Sequence, residues 1–318
     1  MATVQLEVIS RELIKPSSGR LPHLRDYNLS YFDQISNRMY VPLVLFYNPC
    51  NTSFRTSEIS NLLKKSLSET LAYYPFAGKI KDRDFIDCND EGVVFLEAKV
   101  KLKLPEIFKN PKTEVLDLLF AVEGYEFEYF AFCTSLKAIV ADKVQKPTRV
   151  EVVTALLYKC AISASNASSS GTTSPTVLIQ NVNLRTRMIP PLPENYVGMP
   201  LGYFQYPKER TACIAWNYMD KARAVFKNNN QEAQFVQYTC SSWCRFPIYE
   251  ADFGWGKPVW VSIGGCLDKN LIILMDSKSG DGIEAFVTLE EKDMAAFECD
   301  EELLAFAALN PTPLTSQV

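Results

Sequence analysis

Asp252-Phe253-Gly254-Trp255-Gly256-Lys257-Pro258 is the stretch on which the reading of this chain turns. Two glycines free to take φ > 0 flank an indole, and a proline follows, so the residues predict a tight turn. Working outward, β-branched and aromatic runs predict strands at Phe235–Cys240 before it and at Val259–Ile263, Leu271–Met275 and Ile283–Leu289 after it. Further upstream, Val93–Ala98 and Val177–Val182 read the same way. Helices fall between them. From Ser57 to Tyr74, the spacing of Ile59, Leu62, Leu63, Leu67 and Leu71 predicts one buried helical face, stopped by Pro75 and Gly78. Thr148-x-x-Glu151 reads as a capping box opening a helix over Arg149–Ile162, with Val152, Val153, Leu156 and Leu157 inward. Thr288-x-x-Glu291 repeats the device before a helix carrying Met294 and Phe297. A last short helix is expected over Glu301–Ala308, and Ser163–Pro175 reads as a Ser/Thr/Gly loop. Strands interleaved with helices place the chain in the α/β class.

Composition sets the background. The 318 residues are 47% apolar and 22% charged with a net charge of −4, the balance of a soluble globular protein of one large or two ordinary domains. No basic stripe studded with aromatics argues for nucleic acid. Glu7, Arg11 and Glu12 precede any apolar run, unlike a secretory signal, and the longest apolar stretches are too short for a bilayer. Nine cysteines without framework spacing suit reduced thiols, and a cytoplasmic location is expected. Cys240-x-x-x-Cys244 has no second Cys/His pair to complete four metal ligands, so no metal site is expected.

Several short blocks follow one another in a meaningful order. Ile14-Lys15-Pro16-Ser17-Ser18 leads to Leu29-Ser30-Tyr31-Phe32-Asp33-Gln34, then to Tyr73-Tyr74-Pro75-Phe76-Ala77-Gly78-Lys79-Ile80 and Asp87-Cys88-Asn89-Asp90-Glu91-Gly92-Val93. Pro147–Val152, Asn183-Leu184-Arg185-Thr186-Arg187, Pro190-Pro191-Leu192-Pro193 and the Asp252–Gly256 turn come later. Together they resemble the BAHD family, plant acyltransferases that move an acyl group from coenzyme A to an alcohol or amine. The resemblance implies two chloramphenicol-acetyltransferase-like domains, 1–134 and 135–318, with a channel between them for donor and acceptor. It implies acyl-CoA as co-substrate, no permanently bound cofactor, a small alcohol acceptor, a monomer and no membrane.

The family pattern is also interrupted. Its catalytic His-x-x-x-Asp is absent: the one histidine, His23, is followed by Leu24-Arg25-Asp26-Tyr27 and reads as a surface or loop residue. Only Ala121 to Thr134 spans a gap that holds several strands and the histidine turn in the family, so this chain is shorter by roughly a hundred residues. A second shortening is expected between Gly198 and Phe235. The N-terminal domain is therefore expected to be incomplete and the junction Ala121–Thr134 open to proteolysis. No catalytic residue is assigned.

Acyl transfer to a hydroxyl needs a base for the proton and donors for the oxyanion, and histidine suits the first task because it titrates near neutrality. Without that segment the chain is expected not to catalyse the reaction. The alternative is a non-catalytic protein that binds acyl-CoA or a partner. Asp252, Phe253, Gly254, Trp255 and Gly256 are read as a structural motif, although Phe253 and Trp255 could line a channel. Arg185 and Arg187 either hold coenzyme A phosphates or pair with Asp252 inside the second domain, and the ion pair is the favoured reading. A buried pair would make Asp252→Ala cost about 3–5 kcal/mol. Gly280-Asp281-Gly282 echoes the end of the missing motif but reads as a hairpin turn.

Overall fold

A computed structural model of the chain describes residues 6–19, 25–30, 33–34, 41–48, 54–82, 84–109, 127–132, 146–168, 175–183, 189–192, 201–207, 213–214, 236–264 and 268–312. In chain order the elements begin with β1 (Leu6–Ile14), β2 (Asp26–Asn28), β3 (Leu43–Phe46) and α1 (Thr56–Tyr73). Next come β4 (Lys79–Lys81), β5 (Phe85–Asp87), β6 (Val93–Val100), α2 (Leu104–Lys109), β7 (Phe127–Phe132) and α3 (Arg149–Ser168). Then follow β8 (Thr176–Asn183), β9 (Leu201–Pro207), β10 (Cys213–Ile214), β11 (Val236–Ser242) and β12 (Trp260–Ile263). The chain continues through β13 (Leu271–Asp276), β14 (Ile283–Thr288), α4 (Glu291–Phe297), α5 (Glu301–Leu304) and β15 (Ala307–Leu309).

An eight-stranded mixed sheet in the order β10–β9–β8–β11–β13–β14–β7–β15 organises these elements. β11 runs parallel to β8 and β13, whereas β13, β14 and β7 are antiparallel neighbours. β13 is apolar at successive positions because both faces are covered. Ile272 and Leu274 pack with Val152, Leu156 and Leu157 of α3, while Leu271, Ile273 and Met275 face Phe46, Phe108 and Trp260. The hairpin expected at Gly280-Asp281-Gly282 joins β13 to β14: the Ser277 amide donates to the Gly282 carbonyl at 3.1 Å. Gly280 sits there at φ +77°.

The Thr148/Glu151 capping box forms in both directions. The Thr148 amide donates to Glu151 Oε2 at 2.8 Å, and the Glu151 amide to Thr148 Oγ1 at 3.2 Å. The helix it opens runs six residues beyond the expected end at Ile162, so the loop reading of Ser163–Pro175 fails over its first part. Packing overrides the Ser-rich composition there: Ala164 is buried and Ser168 donates its hydroxyl to Asp293. The second capping box does not form. Thr288 ends β14, where Oγ1 accepts the Leu271 amide at 3.2 Å and donates to the Asp268 carbonyl at 2.8 Å. The hydroxyl closes the β13–β14 pair instead, and Glu290 takes the cap position of α4. The helix expected over Glu301–Ala308 stops at Leu304, and Ala307–Leu309 pairs with β7, since a strand ladder outcompetes alanine helix propensity.

The N-terminal elements behave differently. β1 and β6 form a two-stranded ribbon, with Leu6, Val8, Ile9, Leu13, Val94 and Leu96 exposed. The other ribbon face meets α1 through polar contacts: Ser60 Oγ donates to Glu97 at 2.8 Å, and Lys64 Nζ reaches Glu12 at 2.5 Å. The α1 face read from the spacing is thus only partly buried. Leu71 is inside and Leu62 is 42% exposed. Pairing also crosses residue 134, because β3 pairs with β12 and β7 lies between β14 and β15. Residues 127–132 of the junction expected to invite proteolysis are therefore an internal strand of the main sheet.

Candidate functional site

The Asp252–Gly256 turn connects a short 3₁₀ turn at Ile248–Glu250 to β12. Its conformation follows from two residue types. Gly254 and Gly256 sit at φ +101° and +100°, where a side chain is strained, and Asp252 clasps the loop from within. One carboxylate oxygen, Asp252 Oδ1, accepts the Gly254 amide at 2.8 Å and the Gly256 amide at 3.0 Å. Asp252 is exposed, so the expectation of a carboxylate buried in apolar surroundings does not hold. Arg185 and Arg187, its proposed partners, and His23 lie outside the described residues.

The clasp presents two aromatic rings on one side. Phe253 and Trp255 stack at 5.6 Å with 28° between planes, and Tyr47, just past β3, meets them edge-on at 6.1 and 6.3 Å. The Tyr47 hydroxyl donates to the Ala251 carbonyl at 2.8 Å, fastening the end of β3 to the start of the turn. Burial, and after it the Asp252 charge, push the Tyr47 phenol up from its ordinary value, so it stays a neutral donor. Glu250 and Lys257 pair across the turn. Beneath the rings, Leu45 and Tyr47 from one side and Ile59 and Leu63 of α1 from the other enclose a cleft of about 340 Å³. The sequence reading picked out Phe253 and Trp255 but missed Tyr47 and Leu45. Their place depends on the pairing of β3 with β12 across more than 200 residues, which no local pattern announces.

Several other polar groups in the core are engaged in structure. The Tyr249 hydroxyl donates to the buried Glu284 at 3.2 Å and accepts the Val261 amide at 3.3 Å, tying β12 to β14. Burial, then the Glu284 charge, push the Tyr249 phenol well up. Asp276 accepts Arg149 Nη2 at 3.3 Å and the Arg245 amide at 2.7 Å. The Cys240 thiol is pushed up to about 12 by burial, and burial raises Cys244 too, so both favour the neutral thiol. Among the described residues, no group of three or more His, Cys, Asp or Glu side chains could hold a metal ion. No helix among them is long and apolar enough to cross a membrane.

A family model described as "Transferase family" matches residues 4–132, 134–208 and 208–304. Its breaks, at 132–134 and at 208, fall inside the two stretches where shortenings were expected. Akuammiline synthase 1 of Alstonia scholaris is 35% identical over 96% of this chain and 98% of its own length. That alignment spans 414 positions against 318 residues here, so at least 96 positions face a gap in this chain (414 less 318). The 17,18-epoxy-17-hydroxycur-19-ene N-malonyltransferase of Strychnos nux-vomica is 33% identical, covering 97% of this chain and 92% of that protein. The crystal structure of vinorine synthase superposes with a TM-score of 0.76 at 26% identity, over 95% of this chain and 98% of the other. The mixed α/β sheet, the ordered blocks and the intact Asp252–Gly256 turn agree with these likenesses: the chain belongs to the Transferase family of plant BAHD acyltransferases.

Proposed function

We propose that this chain is a BAHD-family protein that no longer carries out acyl transfer. The observation behind the reading is that its one histidine, His23, has Tyr27 four residues on, so no His-x-x-x-Asp exists. The family reaction would take an acyl group from acyl-CoA to a small alcohol or amine. Both shortenings remove parts of the machinery for that step. General-base catalysis is typically worth about 10²–10⁴ in rate, and loss of the base alone would leave a slow enzyme. Loss of the surrounding strands also removes a wall of the channel that orients thioester against hydroxyl. Orientation can supply roughly 7–11 kcal/mol of barrier reduction, so the two losses compound. The chain acts as a soluble, cytoplasmic monomer in this reading, with residues 1–134 the incomplete half and 135–318 the retained one. The second reading is a non-catalytic binder of acyl-CoA or a partner, and the match to the family model over residues 134–208 and 208–304 is what favours it.

The test is an acyl-transfer assay with acetyl-CoA and longer acyl-CoAs over a panel of plant alcohols and amines. The comparison is a chimera with the family segment inserted between Phe132 and Thr134, which leaves β7 in the sheet. No turnover above background is expected from the chain itself. Turnover within about a hundredfold of an active chimera would mean that another residue is the base, and the inactive reading would fall.

A further inference from the structure

The cleft beneath the Asp252–Gly256 turn plays no part in the acyl-transfer argument, and its chemistry is specific. At about 340 Å³ it reaches the size of small-molecule sites, which are mostly apolar with a few polar groups. Among the described residues its lining contains no charged side chain; Asn48 and Tyr47 are its polar members. The Tyr47 hydroxyl is spent on the Ala251 carbonyl, and the nearby Asp252 oxygen is spent on two amides. An anionic ligand would surrender hydration there without a counter-charge and close to the Asp252 carboxylate, which is costly. Phe253 and Trp255 are stacked nearly parallel, so a flat ring entering beside them adds to an existing stack in the offset or edge geometry that aromatic groups favour. Phe253 remains 47% exposed, apolar surface that a ligand would cover. The glycine turn and its Asp252 clasp fix both rings before anything binds, which reduces the ordering cost of association.

We propose that this cleft is a binding site for a neutral, planar, apolar ring system of about two fused rings. The site is independent of catalysis: it needs the turn, β3 and α1, all of which are present, and none of the missing segment.

The probe is 2-naphthol, titrated into the full chain and followed by tryptophan fluorescence and by ligand-observed saturation-transfer NMR. Saturable binding is expected. Leu63→Trp, which fills the cleft, should weaken it at least about tenfold, and Leu96→Ser on the exposed face of the β1–β6 ribbon should leave it unchanged. Naphthalene-2-sulfonate, the same ring with a charge, should bind at least about tenfold more weakly. Should Leu63→Trp fail to fold, Trp255→Phe decides: it keeps the cleft apolar, so NMR-detected binding should persist while most of the fluorescence response disappears. The proposal is overturned by any of four results. These are no saturation up to the solubility limit, equal binding by folded Leu63→Trp, equal binding of the sulfonate, or a full fluorescence response in Trp255→Phe.

Discussion

Asp252→Ala measures how the turn is held. The side chain is exposed, so the cost of stranding a buried charge does not arise. What disappears is one acceptor oxygen serving two backbone donors, at 2.8 Å from Gly254 and 3.0 Å from Gly256. A hydrogen bond to a charged group contributes about 1.5–3 kcal/mol where water is excluded. At an exposed site the freed amides regain water, and the closer analogy is a helix N-cap, whose loss costs about 0.5–2 kcal/mol. The two glycines soften the loss, because the unclasped loop regains wide conformational freedom in the folded state. Together these give about 1–2 kcal/mol. In urea, with a slope of about 3 kcal/mol/M, the midpoint should fall by about 0.5 M without a change in slope. Asp252→Asn keeps an acceptor oxygen and should recover most of that loss. A cost of about 3–5 kcal/mol for Asp252→Ala would instead restore the buried ion pair with Arg185 or Arg187 and refute the clasp as the main role. Equal losses in the Asn and Ala variants would also refute it, since charge rather than the acceptor would then matter.

Two further outcomes follow from the packing. Leu274→Ala in β13 should cost about 2–5 kcal/mol, because its side chain is fully buried between the sheet and α3, whereas Leu96→Ala should stay within about 0.5 kcal/mol. Urea midpoints of the two variants check this, and similar losses would mean that something covers the β1–β6 face. Stability should also fall in alkali. Burial pushes Cys160 and Cys240 from 9.0, and Tyr238 from 10.0, up to about 12. For groups raised in the folded state, the contribution is complete below the unfolded pKa and is lost as pH rises through the folded one. The urea midpoint should therefore decline from about pH 9 towards pH 12, and a flat profile to pH 11 would contradict that burial.

Four of the eight strands of the main sheet, β8, β11, β13 and β14, were legible because their signals are local or doubly determined, whereas β7, β9 and β10 were not read as strands. β13 and β14 read as apolar runs bounded by turn residues, and the Thr148/Glu151 box carries its whole mechanism within four positions. The same four-residue pattern at Thr288 misled because a hydroxyl can serve a strand as readily as a helix end. In this chain Leu271 and Asp268 claim it first. β15 was read as helix because Ala-rich sequence is helical until a neighbouring strand offers a ladder, and β7 became that neighbour. In the site, Asp252, Gly254 and Gly256 were legible as a turn, since glycine spacing fixes where φ > 0 is allowed. The burial of Asp252 was misjudged: apolar neighbours in sequence do not say which way a loop faces. Tyr47 was invisible for the reason that makes sheets hard to read, a partner two hundred residues away.

The main sheet holds together despite the two shortenings, and the two hydrophobic clusters show why. A sheet persists when both faces are covered. α3, α4 and α5 cover one face of β13 and β14, all from the C-terminal part of the chain. The opposite face is closed by Phe46, Ile107 and Phe108, which lie before the shortened junction, packed against Trp260 and Phe286. Phe46 and Trp260 stack at 5.0 Å and Phe108 meets both edge-on, so the cover is anchored by aromatic contacts rather than by loose aliphatic contact. The family model breaks at 132–134, downstream of that cover and upstream of α3, and again at 208, just after β9. Neither break removes the layers that close β13 and β14. The β1–β6 ribbon has no such double cover among the described residues: one face exposes apolar side chains, and polar contacts join the other to α1. The cleft draws on both sides of the first break, with Leu45, Tyr47, Ile59 and Leu63 before it and Phe253 and Trp255 after it, so it stands on the same β3–β12 pairing that carries the Phe46–Trp260 stack.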